Sequence, residues 1–407
     1  MRPSPARDRL PVSLFVIMIH AVLTQGTVFV VRPTISYRAL EIGLSGAMIG
    51  VLAGAFTVMP LLVALQIGRA TDRFGERRLM LAGTAGMAAA VLVLLRAGSD
   101  LTILVVASVL LGVAHLGAAV GQQAMVGRIV PASRFAAGFG YYTLTGSIGQ
   151  AAAPGLIALF GASRTIPDTQ AIFRVTLGVV CLALVVPLLL PKDVARPGAV
   201  HRGTRAVGAL LRIRGLPTAV VVSGVVLAAI DVLTVYLPVL GAERGYSAGL
   251  VSLLLVIRAS ASLCSRVFLE PLQDRAGSNR LLVGTVGLSC VVMGVVPAVP
   301  QVWLLCVLMV PLGVGLGLAQ PITMAWVAAI SPPGTRGSAM SLRLTGNRLG
   351  QTLMPVVAGG AAASLGTAGV LWVVALFLGA ATASALRVDI SVDPDDDPHR
   401  SGDAEGP

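Results

Sequence analysis

Gly68 to Arg78 reads GRATDRFGERR, and Gln273 to Arg280 reads QDRAGSNR. Asp72, Arg73, Gly75 and Arg78 of the first phrase return at a constant offset of 202 as Asp274, Arg275, Gly277 and Arg280. Each copy sits between two long apolar runs. The echo extends beyond the turn. Leu144 to Gln150 (LTGSIGQ) matches Leu344 to Gln351 (LTGNRLGQ) with one residue added, and Pro154 then matches Pro355. Gly112-Val113 matches Gly313-Val314, and Ile129 matches Ile330. The chain is therefore built from two related halves that run in the same sense, related by an axis along a membrane normal.

Composition supports the membrane reading. Of 407 residues, 56% are hydrophobic and 12% charged. A soluble chain of this length could not hide so much apolar surface in its cores, so most of it must face lipid. A spanning helix needs roughly 20 apolar residues, and twelve candidates are present. The first half supplies 11–31, 46–67, 79–97, 101–120, 136–160 and 173–191. The second supplies 216–240, 248–268, 281–299, 301–329, 338–361 and 367–388. The expected fold is an all-α membrane protein with twelve transmembrane helices in two pseudo-symmetric six-helix bundles, 1–191 and 216–388. Residues 192–215 form a basic linker with Arg196, Arg202, Arg205, Arg212 and Arg214, and a short amphipathic piece is expected at Val207–Ile213. Residues 389–407, with the run PDDDP, read as a disordered acidic tail. Arg2, Arg7 and Arg9 resemble the start of a signal peptide. The apolar run from Pro11 to Val31 is too long for one, and reads as the first span.

The net charge of +12 comes from 29 arginines and one lysine. They cluster in short loops between apolar runs, which is a topology signal and argues against nucleic acid as a partner. With the N-terminus inside, twenty-two fall on the cytoplasmic side and six outside, so both termini are expected in the cytoplasm, at the plasma (inner) membrane. Cys181, Cys264, Cys290 and Cys306 lie in apolar runs with no CxxC spacing, and the four histidines are scattered. No metal or cofactor site is visible. The one lysine, Lys192, follows Pro191, which excludes a P-loop and a retinal Schiff base. No hydrolytic or redox constellation is present, so an enzyme is not expected. Two parallel halves joined by a basic linker suit a secondary transporter, with a small solute, protons and lipid as partners; a monomer is expected.

The turn GRATDRFGERR closely resembles the loop 2–3 signature of the major facilitator superfamily, commonly written GxLxDRxGRR. Gly68, Asp72, Arg73, Gly75, Arg77 and Arg78 match it; Ala70 stands where the family has Leu, and Glu76 where it has Arg. The second copy lies where that family places one, and the resemblance covers nearly the whole chain. It implies alternating access of one central site. It also implies that Gly68, Asp72, Arg73, Gly75, Arg77 and Arg78, with Asp274, Arg275, Gly277 and Arg280, form a cytoplasmic gate; the alternative is a plain topology signal. Two family signatures are degraded. Val113 replaces the arginine that usually precedes a glycine by four residues in the fourth helix. The Gly-rich antiporter motif of the fifth helix survives only as small residues around Pro154-Gly155. That remnant tilts the reading towards proton-coupled efflux; proton-coupled uptake of a small organic anion is the alternative, and a non-transporting membrane sensor the third.

Charges inside spans are the candidates for chemistry. Of eighteen acids, Asp231 alone lies well inside a span. A charge at mid-bilayer costs about 2.5–3.5 kcal/mol on insertion scales, so it needs a partner or a purpose. Asp231 is read either as the proton-coupling carboxylate or as half of a structural ion pair. Arg258 shares a helical face with Ser262 and Ser265, and Arg348 one with Thr345, Gln351 and Thr352; Asn347 is next to it. Both stripes are expected to line a water-filled cavity. There the two arginines would grip an anionic or zwitterionic solute, unless Arg258 simply pairs with Asp231. His20 and Gln25 in the first helix and His115 in the fourth complete the expected binding set. Arg32, before Pro33, reads as the outer end of the first helix.

Overall fold

The structure is a computed structural model that describes residues 12–96, 100–130, 135–191, 208, 210–331 and 336–388. Among the described residues there is no strand. The first half comprises α1 (Val12–Glu41), α2 (Gly46–Phe74), α3 (Glu76–Leu95), α4 (Leu101–Ile129), α5 (Phe135–Gly161) and α6 (Thr169–Val185). The second comprises α7 (Leu216–Glu243), α8 (Ala248–Val267), a short α9 (Leu269–Ala276), α10 (Ser278–Val295), α11 (Val302–Ile330) and α12 (Arg336–Leu386). The last is two crossings merged at Gly366, whose φ of 63° breaks the helical path.

Local chemistry sets the two ends of the molecule. α2, α4, α6 and α8 all start at the same end, and each has a side-chain N-cap. Ser45 accepts from Met48 N, Asp100 from Thr102 N, Asp168 from Ala171 N and Ser247 from Leu250 N. Each cap satisfies one of the amides that a helix start leaves orphaned. We call this the far end. At the opposite end, the turn end, the repeated phrase makes the same bend twice. Gly75 has φ 91° and Gly277 φ 77°, a region that residues with a Cβ rarely enter. The duplication is thus a backbone requirement as much as a charge pattern.

Packing carries the pseudo-symmetry. Across the two halves, α2 meets the first crossing of α12, α5 meets α8, and α1 meets α7. Exchange the halves, and the second helix of one still meets the fifth of the other, while the two first helices still meet each other. The contact pattern is its own image.

Eleven of the described helices are long and apolar enough to span a bilayer. The first crossing of α12, residues 336–365, is the twelfth. It falls short on hydropathy because it carries Arg343, Asn347, Arg348 and Gln351, and it packs along α7 and α2. α1 runs ten residues past the end of the apolar run that announces it. Arg32, Thr34, Ser36 and Tyr37 continue it and are buried. The expectation that Arg32 marks an outer helix end is therefore corrected: it lies inside the protein. Arg266 and Arg343, near the edges of the expected spans 248–268 and 338–361, also sit within helices. The short α9 and the 3-10 tails Val186–Leu189 and Val296–Ala298 were not anticipated. Most of the linker and the tail lie outside the described residues. Of the amphipathic piece, residues 208 and 210–213 are described; Leu210 is buried and Leu211 and Arg212 are exposed.

Candidate substrate and coupling site

A cavity of about 340 Å³ lies between the halves. Its walls come from α1, α4 and α5 on one side and α7, α8, α11 and α12 on the other, with Phe56 of α2. The lining residues run from mid-helix towards the turn end. They take in Ala21 to Arg32 of α1, Tyr142 to Gln150 of α5, Arg266 in the last turn of α8, and Arg343 to Gln351 in the first crossing of α12.

The far end is shut. The Tyr236 hydroxyl of α7 donates to the Gly46 carbonyl across the halves at 2.9 Å. Gly50 of α2 lies so close to α12 that a Cβ there would stand 2.6 Å from the Tyr236 hydroxyl oxygen and 3.0 Å from the Pro355 carbonyl oxygen. Only glycine permits that approach. Ala248 N donates to the Arg164 carbonyl at 2.7 Å, which closes the α5–α8 seam.

Asp231 sits where the cavity meets this seal. It is buried, and Arg32 of the opposite half donates Nη1 to its Oδ1 at 2.7 Å. Its Oδ2 accepts from Gln351 Nε2 at 2.6 Å, and Gln351 Oε1 in turn accepts from Arg348 Nη1 at 3.3 Å. Arg32 also lies over the Phe56 ring, 4.6 Å from its centroid, and Phe56 stacks with His115. His115 donates Nε2–H to Gln25 Oε1 at 2.7 Å. Asp231, Arg348, Asn347, Gln351, Gln25 and His115 thus share one cavity.

Two predicted residues do not join them. Arg258 is 2% exposed and does not line the cavity. Its stripe faces a slot on α11. Gly313 stands against the Arg258 carbonyl and Gly317 against Ser262, so the two helices close to backbone contact. Nor does Arg258 pair with Asp231, whose partner is Arg32. His20 is fully buried in a network of its own. It donates Nε2–H to Thr84 Oγ1 at 2.8 Å, since the Thr84 hydroxyl itself donates to the Met80 carbonyl. Its Nδ1 accepts from Gln122 Nε2 at 2.7 Å, and Gln122 Oε1 accepts from the Tyr142 hydroxyl at 3.0 Å. Those assignments make a neutral ring with both nitrogens occupied.

Three lining arginines escaped the sequence reading. Besides Arg32, Arg266 donates Nη1 to Ser147 Oγ of the other half at 2.6 Å. Arg343 donates to Gln320 Oε1 at 2.7 Å and to the Gln320 carbonyl at 3.0 Å. Gln320 is anchored through its Nε2 on the Ser223 carbonyl, and Ser223 donates to Asn347 Oδ1 at 2.7 Å. Four guanidinium groups therefore line the cavity against the single carboxylate of Asp231. Three of them meet only neutral acceptors in the described contacts, an arrangement suited to an anion.

The repeated turns lie at the turn end, opposite the seal. Arg77 donates to the Leu188 carbonyl at 3.0 Å and Glu76 pairs with Arg128 at 3.4 Å, both within the first half. Arg73 lies over the neighbouring Phe74 ring. Gly68, Gly75, Arg78, Asp274, Arg275, Gly277 and Arg280 lie along or beside these turns. The Asp72 side chain is outside the described set.

A family model described as Major Facilitator Superfamily matches residues 17–300 and 219–406. No curated protein matches the sequence significantly. Among solved structures, a point mutant of the nucleoside transporter NupG is similar with a TM-score of 0.75 at 14% identity, over 92% of this chain and 98% of that one. A D-xylose-proton symporter is similar with a TM-score of 0.74 at 16% identity, over 93% and 98%. A POT family transporter in complex with 5-aminolevulinic acid is similar with a TM-score of 0.73 at 14% identity, over 93% and 95%. At these identities the likeness speaks for the fold.

Proposed function

The chain belongs to the major facilitator superfamily, a multi-pass integral membrane transporter rather than an enzyme, and from that premise we propose that it carries a small organic anion together with protons. The observation that supports this is the charge balance of the cavity: four arginines against one carboxylate.

Coupling follows from competition for Arg32. Ionised Asp231 occupies Arg32 and Gln351. A proton on Asp231 releases both donors to a bound anion, and a bound anion draws Arg32 away and favours the protonated acid. Anion and proton therefore bind cooperatively and travel in the same direction. An exchanger of the efflux type needs the reverse, a solute that competes with the proton for the carboxylate. That suits a cation, which this cavity repels. The charge balance thus favours the symport reading over efflux. The D-xylose-proton symporter among the structural neighbours supports protons as the coupling ion.

Arg348, Gln351, Asn347, Gln25 and His115 are the proposed solute contacts, and Asp231 the proton site. The transporter works by alternating access as a monomer in the plasma membrane, with both termini and the turn end in the cytoplasm. The structure then represents an inward-open state. The repeated turns act as its cytoplasmic gate, and Arg77 and Glu76 hold partners in their own half.

The test is uptake into proteoliposomes under an imposed acid-outside gradient. Lactate, succinate, glycerol 3-phosphate and inorganic phosphate serve as anionic probes, with ethidium as a cationic control. Acceleration of at least one anion with no effect on ethidium is expected. Gradient-driven movement of ethidium alone contradicts the reading.

A further inference from the structure

Among the described residues, Arg258 is the one buried charge that the cavity leaves unused. It lies near the middle of α8, ten residues from Ala248 and nine from Val267, so it cannot reach water by snorkelling. It is 2% exposed, and its Nε and Nη1 have no hydrogen-bond partner. Among the described residues no acid is in ion-pair contact with it. A guanidinium stays charged, and an unpaired charge in such surroundings is costly. Gly313 of α11 stands against its backbone carbonyl, so α8 is packed closely on α11 at this level.

The charged groups nearest in influence are the like-charged Arg266 first and the carboxylate of Asp231 second. Asp231 stands at a matching depth on the neighbouring helix. It lies twelve residues before the end of α7, and Arg258 ten after the start of α8. At 1.5 Å per residue these are ~18 and ~15 Å from the connection at the far end. The two residues belong to the same half and move together. Arg32 belongs to the other half. When the far end opens, α1 and α7 part and the bridge to Arg32 breaks. Asp231 would then stand ionised with no cation in direct contact, Arg348 being held off by Gln351, while Arg258, at a matching depth in the same half, has no anion.

We propose that Arg258 is the alternate counter-ion of Asp231: the carboxylate pairs with Arg32 across the halves while the far end is closed, and with Arg258 within its own half while the far end is open. Arg258 thereby lets the empty, deprotonated carrier complete its cycle. It touches no solute and is a positioning residue for the coupling step. The inference rests on the proton–anion reading only in taking Asp231 as the coupling carboxylate.

The experiment needs neither solute nor gradient, so it stands even if the symport reading fails. Ser36 is buried in the far half of α1. A Ser36→Cys thiol, with the four native cysteines replaced, reports opening of that end through its rate of reaction with a membrane-impermeant maleimide. Arg258→Gln should slow labelling by about tenfold or more, because the open state loses its ion pair. Arg258→Lys should restore the rate to within about threefold. In an Asp231→Asn background, Arg258→Gln should change the rate by no more than about twofold, since the carboxylate it serves is gone. Arg258→Met, which removes the charge and keeps most of the volume, carries the same expectations if the glutamine variant does not fold. Equal slowing in both backgrounds, or no slowing beside native Asp231, overturns the proposal.

Discussion

Two polar clusters lie within a few helical turns of each other, and they are built on opposite plans. In the first half, His20, Thr84, Gln122 and Tyr142 form a neutral network in which both ring nitrogens of His20 are satisfied. Between the halves, Arg32, Asp231, Gln351 and Arg348 form a charged chain in which one Arg32 nitrogen is left without a partner. The first network lies within one lobe and reaches the cavity at Tyr142. The second spans two lobes that must part. Completed hydrogen bonding fixes a lobe, whereas incomplete, charge-assisted bonding gives a solute and a proton something to complete. Burial and polarity alone do not separate the two clusters; the distribution of charge across the seam does.

Substitutions can break this contrast. The largest effect is expected for Asp231→Asn. Flux driven by a pH gradient should fall by about 100-fold, while exchange of labelled for unlabelled solute, which needs no net proton movement, persists. Equal loss of both modes would reduce Asp231 to a structural role. Arg32→Gln comes next. It leaves a carboxylate alone at the seam, so flux should fall about tenfold and far-end thiols should label faster. Combining it with Asp231→Asn should return labelling to near the starting rate, because neither charge is then stranded.

Gly50→Ala probes the seal without touching a charge. The added methyl meets the Tyr236 hydroxyl and the Pro355 carbonyl, and overpacking of this kind costs about 1–3 kcal/mol. The cost falls on the far-closed state. Thiols on the far side should gain accessibility and net flux should drop several-fold, with the pH profile unchanged. The smallest transport effect belongs to His20→Leu. Thr84 and Gln122 each lose a partner, so thermal stability should fall by about 1–3 kcal/mol. The pH dependence of flux should stay within about twofold of native, because this network carries no charge. A shifted pH profile would move His20 into the coupling machinery and dissolve the contrast.

The duplicated turn made the two-lobe architecture legible, since only a repeat explains the same glycine bend at Gly75 and Gly277. The lone intramembrane acid pointed to Asp231, and the polar stripe around Arg348 pointed to one wall of the cavity. The opposite wall was harder to read. Arg32-Pro33 ends an apolar run and looks like a loop. The signal against that reading was the lack of any Gly, Asn or Asp between Arg32 and Glu41, so that beyond Pro33, which the helix accommodates, nothing there stops it. Arg266 and Arg343 lie near the turn-end edges of the expected spans 248–268 and 338–361 and were not singled out, because hydropathy sees composition and not which way a side chain turns. Arg258 was sent to the cavity for a related reason. Helical periodicity shows that a residue lies on a polar face, but whether that face meets water or a neighbouring helix depends on that neighbour. Here Gly313 and Gly317 of α11 supply a slot, and the stripe docks into it.

The central claim is that one seam carboxylate makes proton and anion fellow passengers. It is tested most directly by recording both fluxes in the same liposomes: an outward-to-inward gradient of whichever anionic probe is carried, no initial pH difference, and a trapped pH indicator. Acidification of the lumen in step with anion entry, absent in Asp231→Asn, is the predicted result. Anion entry with no proton movement, with alkalinisation, or with acidification that survives Asp231→Asn would contradict it.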